Sequence, residues 1–316
     1  MSRPGPTEVS VAVVRVRVPA KINLALCVGA RRPDGYHELS TVFQAVSLYD
    51  EVTAAAADAT TCEVRGAEAH KVGPGEDNLA YRAARLLQAE YGVRDGVHLL
   101  IDKRIPVAGG MAGGSADAAG ALLACARLWG LDATPDDLRE LGGRLGADVP
   151  FPLMGGCALG LGRGERLYPT LSRGTFHWVL AFARRGLSTP AVFRRYDELV
   201  GPGGPAAGAA VPTALIQALT TGNVDQVAAL LTNDLTEAAC ALAPGLRTTL
   251  AVGRDAGARG AIISGSGPTV AFLAADAAAA TDLAVALSSE GVAREVRLAT
   301  GPVPGATVAP PIPALV

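Results

Sequence analysis

PVAGGMAGGSADAAGA, residues 106–121, decides the fold of this 316-residue chain. Small residues that favour a helix follow a cluster of four glycines, which are Gly109, Gly110, Gly113 and Gly114. Glycine lacks the Cβ that holds a ligand away from the backbone, so a glycine-rich turn can point several N–H groups into one concavity. At the N-terminus of a helix, these donors and the helix dipole suit an anion. The stretch predicts a phosphate-binding loop with Ser115 at the start of the helix.

The loop matches neither of the two commonest phosphate-binding patterns. It lacks the Gly-Lys-Ser/Thr ending of the Walker A loop and the Gly-x-Gly-x-x-Gly spacing of a dinucleotide fold. A dinucleotide oxidoreductase is therefore not expected. From the residues alone, the alternative to phosphate binding is a flexible turn before a small-residue helix that packs against a sheet.

The segments around the loop predict a mixture of strands and helices. VSVAVVRVRVPAKINLALCVGA at 9–30 alternates apolar and polar residues, and predicts two short strands separated by a connection at Pro19. HLLIDKRIPV at 98–107 predicts a strand that leads into the glycine loop. Helices are predicted where apolar residues recur at helical spacing or where N-cap residues occur, at 76–92, 115–130 and 134–146. The first of these has Asp77 or Asn78 as its N-cap, and the last has Thr134.

Composition and charge argue against several classes of protein. Hydrophobic residues make up 49% of the chain, and the formal net charge of −2 comes from scattered residues without a basic cluster. Neither a nucleic-acid partner nor a membrane partner is expected. The five cysteines are odd in number and widely separated, so neither a disulfide framework nor a zinc site is expected. The sequence has no signal peptide and no apolar run of transmembrane length, and we expect a cytoplasmic protein.

Two further segments carry candidate catalytic groups. PAKINLAL at 19–26 places Lys21 and Asn23 in a predicted strand, and LGADVPF at 145–151 places Asp148 just after a predicted helix. Taken alone, such a lysine is more often a solvated charge, and an aspartate before Val-Pro is more often a turn former. Their presence together with the glycine loop favours a catalytic interpretation.

These segments, with GAIISGSGPTVAF at 260–272, fall in the order found in the GHMP kinase superfamily, which the chain resembles from about residue 16 to about residue 275. DGYHEL at 34–39 resembles the branch of the superfamily that acts on a cytidyl substrate. One departure is that Met111 and Ala112 stand where many relatives have Leu and Gly, so we expect the flexibility of the loop to differ.

The resemblance implies an α+β, two-domain GHMP kinase fold. The N-terminal domain would be like ribosomal protein S5 domain 2, the C-terminal domain would be ferredoxin-like, and the active site would lie in the cleft between them. We expect the ATP-binding domain at 1–165, the substrate domain at 166–300, and a proline-rich, poorly ordered tail at 301–316. GPGGPAAGAA at 201–210 predicts a surface loop.

The resemblance also implies an activity, in which ATP phosphorylates the 2-hydroxyl of a cytidine diphosphate derivative of methylerythritol in the non-mevalonate isoprenoid route. By similarity, Asp148 is the general base and Lys21 its partner, and an ammonium near a carboxylate favours the ionised form. Mg²⁺ would be held largely by phosphate oxygens and water, with Ser115 donating to the phosphate or contacting the metal. The residues that would bind ATP are Lys103, Pro106, Gly109, Gly110, Gly113, Gly114 and Ser115. Lys103 matches a position near the adenine, although it could be a surface charge, and Asn78 matches a site asparagine, although it could be only an N-cap.

At the cytidyl end, the resemblance implies that Tyr36 stacks on cytosine, that His37 hydrogen-bonds to its edge and that Phe193 covers the other face. Asn23 is implied in substrate binding. Gly265, Ser266 and Gly267 would close over the site from the second domain. Two alternatives remain, namely another small-molecule GHMP kinase, such as one acting on mevalonate or homoserine, and a nucleotide-binding module without catalysis. We expect a monomer or a weak homodimer.

Overall fold

The computed structural model of the chain describes residues 12–201 and 208–310. The strands in this part are β1 (Val13–Arg31), β2 (His37–Ala57), β3 (Thr61–Arg65), β4 (Gly96–Asp102), β5 (Cys157–Gly162), β6 (Arg166–Thr170), β7 (Phe176–Phe182), β8 (Thr232–Asn233), β9 (Gly260–Ile263), β10 (Val270–Ala274), β11 (Glu295–Gly301) and β12 (Thr307–Val308). The α-helices are α1 (Leu79–Tyr91), α2 (Gly113–Leu128), α3 (Pro135–Leu145), α4 (Pro150–Met154), α5 (Thr189–Val200), α6 (Thr213–Thr221), α7 (Val224–Ala229), α8 (Thr236–Leu242), α9 (Gly245–Asp255) and α10 (Ala277–Ser289), and Ala69–Lys71 forms one 3₁₀ turn.

The larger sheet is built on the long hairpin of β1 and β2. Its strand order is β12-β1-β2-β4-β3, with β5 and β6 continuing from β2 and β8 pairing with β1. The prediction of two short strands at its start is wrong, because β1 runs unbroken through Pro19. A register shift lies there, since Pro19 pairs with Tyr49 and Ala20 already pairs with Val46. Proline has no N–H to donate to the ladder, and the extra residues of β2 absorb this irregularity without ending the strand.

The predicted helices of the first half are confirmed. Helix α2 packs closely on the sheet, because a Cβ on Gly120 would lie 2.8 Å from Val52 Cγ2. Helix α1 has Asn78 as its N-cap, with the Asn78 side chain accepting from Ala80 N. Helix α3 begins with a capping box between Thr134 and Asp137. These local signals fix where the helices begin, and the apolar faces of α1 and α2 bury against each other and the sheet.

The smaller sheet confirms the ferredoxin-like prediction. Its order is β11-β7-β10-β9, so its strands, numbered along the chain, lie in the order 4-1-3-2. Helices α5 to α9 lie between the first and second strands, and α10 lies between the third and fourth. Its own core is built around buried Phe272, Ile263 and Leu283.

The domain limits differ in detail from the sequence prediction. The boundary expected near residue 165 falls inside the β5–β6 hairpin, and the chain changes sheets between β6 and β7. The expectation of a poorly ordered tail is wrong for residues 301–310. In this segment β12 pairs with β1, and Pro304 forms a bridge with Gly155. This proline-rich segment has no internal period, so its pairing depends on an edge that only the folded sheet provides. Residues 311–316, and residues 202–207 of the predicted surface loop, lie outside the described part.

No helix in the described ranges is both long and apolar enough to cross a membrane.

Candidate active site

Each sheet, with the helices packed on it, forms one sheet unit of the molecule. Residues from both sheet units line one cavity of about 1110 Å³. This volume lies just above the usual 300–1,000 Å³ of a small-molecule site, so the cavity can hold a large ligand. The predicted site residues that line it are Lys21, Asn23, Tyr36, His37, Asn78, Lys103, Pro106, Gly109, Gly110, Gly113, Gly114, Ser115, Asp148, Phe193, Gly265 and Ser266. Gly267 is the one predicted site residue that is not part of this lining, although it belongs to the same turn between β9 and β10 as Gly265.

The glycine loop and the closing turn between β9 and β10 are held together by hydrogen bonds. Ser264 Oγ donates to Gly110 O at 3.0 Å, and Thr269 N donates to Gly109 O at 3.2 Å. Gly110 has φ +77°, and a Cβ there would lie 2.1 Å from Ser264 O. Glycine is therefore required at 110 by the contact between the two loops, whatever binds in the cavity.

The other loop glycines serve different purposes. A Cβ on Gly113 would lie 2.9 Å from Lys103 Nζ, so packing alone explains that glycine. A Cβ on Gly114 would meet only Leu79 Cδ1, at an ordinary 3.7 Å. Gly114 and Ser115 belong to the first turn of α2, where backbone N–H groups lack helical partners. At Gly114, the missing Cβ leaves space on the ligand side of the loop.

Ala112, the N-cap of α2, adopts a left-handed conformation with φ +56°. Residues with a Cβ pay roughly 1–2 kcal/mol for that conformation, which glycine adopts freely. The departure noted in the sequence therefore places backbone strain at the start of α2.

Lys103 lies in a buried ion cluster beneath the loop. Its ammonium donates to Asp50 Oδ2 at 2.6 Å and to Asp117 Oδ2 at 2.7 Å. Burial by itself would lower the pKa of Lys103, but Asp117 and Asp50 outweigh it and raise the pKa. The alternative of a surface charge is wrong, since the Lys103 side chain is 2% exposed. With its donors directed at two carboxylates, Lys103 supports the loop from below.

Sequence reasoning missed both carboxylates of this cluster. Asp50 Oδ1 accepts from the backbone N–H of Ile105 at 2.7 Å, so it fixes the strand end that leads into the loop. One oxygen of Asp117 has no hydrogen-bond partner among the described residues, and burial raises the pKa of Asp117 to about 8, against the opposing charge of Lys103. The sequence offered little signal for either residue, because Asp50 stands next to Glu51 in a strand of mixed polarity and Asp117 is a lone acidic residue in a small-residue helix.

Lys21 and Asp148 line the same cavity but form no ion pair within the described part of the chain. The Lys21 ammonium donates to Asn23 Oδ1 at 2.6 Å and to Gly110 O at 3.1 Å. Burial lowers the pKa of Lys21, and the charge of Asp148 opposes that shift. Asn23 Nδ2 in turn donates to Thr41 Oγ1 at 2.8 Å, so Asn23 orients the lysine from the floor of the cavity.

The three aromatic residues predicted for the cytidyl end come together from two sheet units. Tyr36 is 57% exposed, and the Arg163 guanidinium lies 5.1 Å from its ring centroid. His37 is buried, and its ring stacks on Phe193 with 5.3 Å between centroids and 23° between planes. Its Nε2 lies 2.8 Å from Asp197 Oδ1. Neither Arg163 nor Asp197 was identified from the sequence, because nothing local connects either of them to the Gly-Tyr-His segment.

Three further residues hold the loops in place and were also missed. Glu68 accepts from Val107 N in the glycine loop at 2.7 Å, and it also pairs with Lys71 and with Arg294 from the second sheet unit. Burial would raise the pKa of Glu68, but these hydrogen bonds outweigh it and lower the pKa to about 2. Asn233 donates to Ile263 O and Gly265 O, both at 2.7 Å, and Thr189 shares a hydrogen bond with Ser266.

The described residues contain no group of three or more His, Cys, Asp or Glu side chains that could hold a metal ion. Ser115 is half-buried at the start of α2 and lines the cavity. One hydroxyl beside a phosphate site suits Mg²⁺, which keeps several waters and takes phosphate oxygens as ligands.

Comparison with known proteins gives consistent results over both halves of the chain. Residues 78–156 match the GHMP kinases N terminal domain, and residues 215–293 match the GHMP kinases C terminal domain. Over 295 residues the chain is 55% identical to 4-diphosphocytidyl-2-C-methyl-D-erythritol kinase of Rhodococcus jostii (strain RHA1), and the alignment covers 93% of this chain and 94% of the relative. Over 296 residues it is 56% identical to the kinase of the same name from Streptomyces coelicolor (strain ATCC BAA-471 / A3(2) / M145), covering 93% and 99%. A crystal structure of 4-(cytidine 5'-diphospho)-2C-methyl-D-erythritol kinase superposes with a TM-score of 0.74 at 35% identity, covering 90% of this chain and 98% of that one.

Proposed function

The chain belongs to the GHMP kinases, among the 4-diphosphocytidyl-2-C-methyl-D-erythritol kinases, and from this premise we propose how its own residues carry out the reaction. It is an ATP-dependent small-molecule kinase of the isoprenoid precursor pathway that forms ADP and the 2-phosphate of its cytidyl substrate. The observation that carries the assignment of roles is the single cavity, which joins the glycine loop, the Lys21 and Asp148 pair and the aromatic cluster.

Asp148 is the group that takes the proton from the attacking hydroxyl. Its carboxylate is half-buried in the cavity and makes no hydrogen bond to any described residue, so its oxygens are available to a substrate. Phosphoryl transfer asks the protein mainly for positioning, for charge neutralisation and for one group that accepts the proton of the nucleophile. Lys21 supports this step, because its ammonium favours the ionised carboxylate and carries a third donor that can hold the hydroxyl.

The start of α2 binds the triphosphate of ATP. Gly114 and Ser115 supply unpaired N–H groups at the positive end of the helix, and the missing Cβ of Gly114 lets phosphate approach the backbone. Mg²⁺ fits there through phosphate oxygens, water and the Ser115 hydroxyl, and it would supply charge neutralisation between the phosphates. Lys103 contributes beneath the loop through its ion cluster, and any contact of Lys103 with adenine remains a prediction.

The aromatic cluster binds the cytidyl end. The exposed Tyr36 ring offers a face to cytosine, as aromatic side chains do for unstacked bases, and Arg163 covers part of that ring. Phe193 supports His37 by stacking on it and lines the cavity beside it. The substrate's base then lies at one end of the cavity and its hydroxyl near Asp148.

The decisive experiment measures ADP release by the purified protein with ATP and Mg²⁺, supplying as acceptor 4-diphosphocytidyl-2-C-methyl-D-erythritol, mevalonate, homoserine or nothing. We expect release only with the cytidyl acceptor. Asp148→Asn should slow that release by about two to four orders of magnitude, whereas Asp136→Asn, which changes an exposed carboxylate on α3, should not. Release with mevalonate or homoserine would instead support another GHMP kinase, and ATP binding without any release would support a non-catalytic module. Light scattering on the same preparation tests the prediction of a monomer or weak homodimer.

A further inference from the structure

We propose that Asp197 determines which base the site accepts, by fixing the tautomer of His37 so that the cavity selects a 4-aminopyrimidine over a 4-oxopyrimidine. The inference rests on the proposed function, because it concerns how the cytidyl end is recognised. It assigns Asp197 as a positioning residue that acts through His37.

The geometry holds His37 in one orientation. Its Nε2 lies 2.8 Å from Asp197 Oδ1, and its side chain is 6% exposed. Phe193 stacks on one side of the ring, and Tyr196 meets the ring at an interplanar angle of 87° with 6.1 Å between centroids. Tyr196 is itself anchored by a hydrogen bond from its hydroxyl to Val28 O. An imidazole packed in this way has little freedom to rotate or flip.

The chemistry of the pair fixes the position of the proton. An ionised carboxylate can only accept a hydrogen bond, so Nε2 of His37 is the donor to Asp197. In a neutral imidazole the other nitrogen, Nδ1, then carries a lone pair and acts as an acceptor. His37 Nδ1 has no hydrogen-bond partner among the described residues and is not one of their buried unpaired atoms, while His37 lines the cavity. An acceptor is therefore presented to the ligand.

An acceptor at this place discriminates between the two pyrimidines. The exocyclic amine of cytosine donates to it, whereas the carbonyl oxygen that uracil carries at the same ring position would oppose one lone pair with another. Sites built around a specific hydrogen bond reject the analogue that cannot make it, because the buried polar group of the protein is left unpaired. Asp197 is thus the origin of the base preference, and His37 is its point of contact.

The position of Asp197 allows a clean test. Its side chain is 36% exposed on α5, so its removal opens no core cavity. The next residue, Glu198, is 62% exposed and pairs with Arg195 at 2.8 Å, away from the cavity lining. Glu198→Ala therefore removes a carboxylate from the same helix turn without touching His37, and it serves as the matched control.

The experiment compares kcat and KM for 4-diphosphocytidyl-2-C-methyl-D-erythritol and for its uridine counterpart in the wild type, Asp197→Ala and Glu198→Ala. We expect the wild type and Glu198→Ala to prefer the cytidine compound. Asp197→Ala should lose about tenfold in kcat/KM for that compound, through KM, because one orienting hydrogen bond is lost. Its kcat, its KM for ATP and its activity on the uridine compound should not fall. An unchanged base preference in Asp197→Ala, or a uridine preference in the wild type, would overturn the inference.

A second measurement reads the tautomer of His37 directly in the wild type. Nitrogen-15 NMR of the four histidines, with His37 assigned by its loss in His37→Gln, should show Nε2 of His37 protonated and Nδ1 unprotonated. A proton on Nδ1 in the wild type would refute the proposal. The two hypotheses fail differently: no phosphorylation of either nucleoside compound contradicts the proposed function, whereas cytidine-specific turnover with an Nδ1 proton contradicts only the role of Asp197.

Discussion

Gly114→Ala separates ligand binding from stability at the glycine loop. In the free protein the new Cβ would meet only Leu79 Cδ1 at 3.7 Å, and Gly114 does not have the positive φ that a Cβ disfavours. Replacing a helical glycine by alanine stabilises by roughly 0.5–1 kcal/mol, which corresponds to a Tm rise of about 1 °C in a chain of this size. The same methyl group would occupy space that phosphate needs. Overpacking of about 1–3 kcal/mol then weakens ATP binding by roughly tenfold to a hundredfold.

The assay combines differential scanning calorimetry of the free protein with isothermal titration of a non-hydrolysable ATP analogue. Gly110→Ala is the comparison, because its Cβ would lie 2.1 Å from Ser264 O and its φ of +77° disfavours any side chain. That variant should lose roughly 2–5 kcal/mol of stability, the sum of backbone strain and overpacking. If Gly114→Ala retains wild-type affinity for the nucleotide, phosphate does not approach α2 at this residue, and the reasoning from the missing Cβ is refuted.

Three other variants test the remaining charges. Asp148→Asn should lower kcat by about two to four orders of magnitude at unchanged KM for ATP, and near-wild-type turnover would remove Asp148 from the mechanism. Asp117→Asn should flatten part of the pH dependence of the free energy of unfolding. Burial raises the pKa of Asp117 in the folded state to about 8 from 3.8. The stability that protonated Asp117 contributes is therefore complete below pH 3.8 and is lost as the pH rises toward 8. Urea titrations should show that the stability of the variant rises relative to that of the wild type between about pH 4 and pH 8. A difference in unfolding free energy that stays constant over this range would contradict the prediction. Glu68→Gln should raise KM for ATP by loosening Val107, and it should remove the stability that the wild type loses as the pH falls from 4.5 toward 2, because hydrogen bonds outweigh burial and lower the pKa of Glu68. An equal acid-unfolding midpoint in both proteins would count against that role.

Local signals in the sequence were sufficient for helices α1, α2 and α3 and for the glycine-rich turn before α2. Thr134 and Asn78 cap their helices as predicted, because a cap is a contact between residues two or three apart. Pro19 misled the prediction, since the residues that absorb its irregularity lie on β2, far along the chain. The segment after residue 300 was equally misleading, because its partner is the edge of a strand at the other end of the chain.

The sequence by itself determined the family, and it predicted a phosphate loop at a helix start and a site built from Lys21, Asp148, Tyr36 and His37, because each of these is carried by a short contiguous motif. Only the tertiary structure decided what holds those residues in place. Asp50 lies 53 residues from Lys103, and Asp197 lies 160 residues from His37. Glu68 lies 39 residues from Val107 and 226 residues from Arg294. Such contacts leave no local pattern, since they arise when sheets and helices pack and a buried charge or donor must find an opposite group within hydrogen-bond reach.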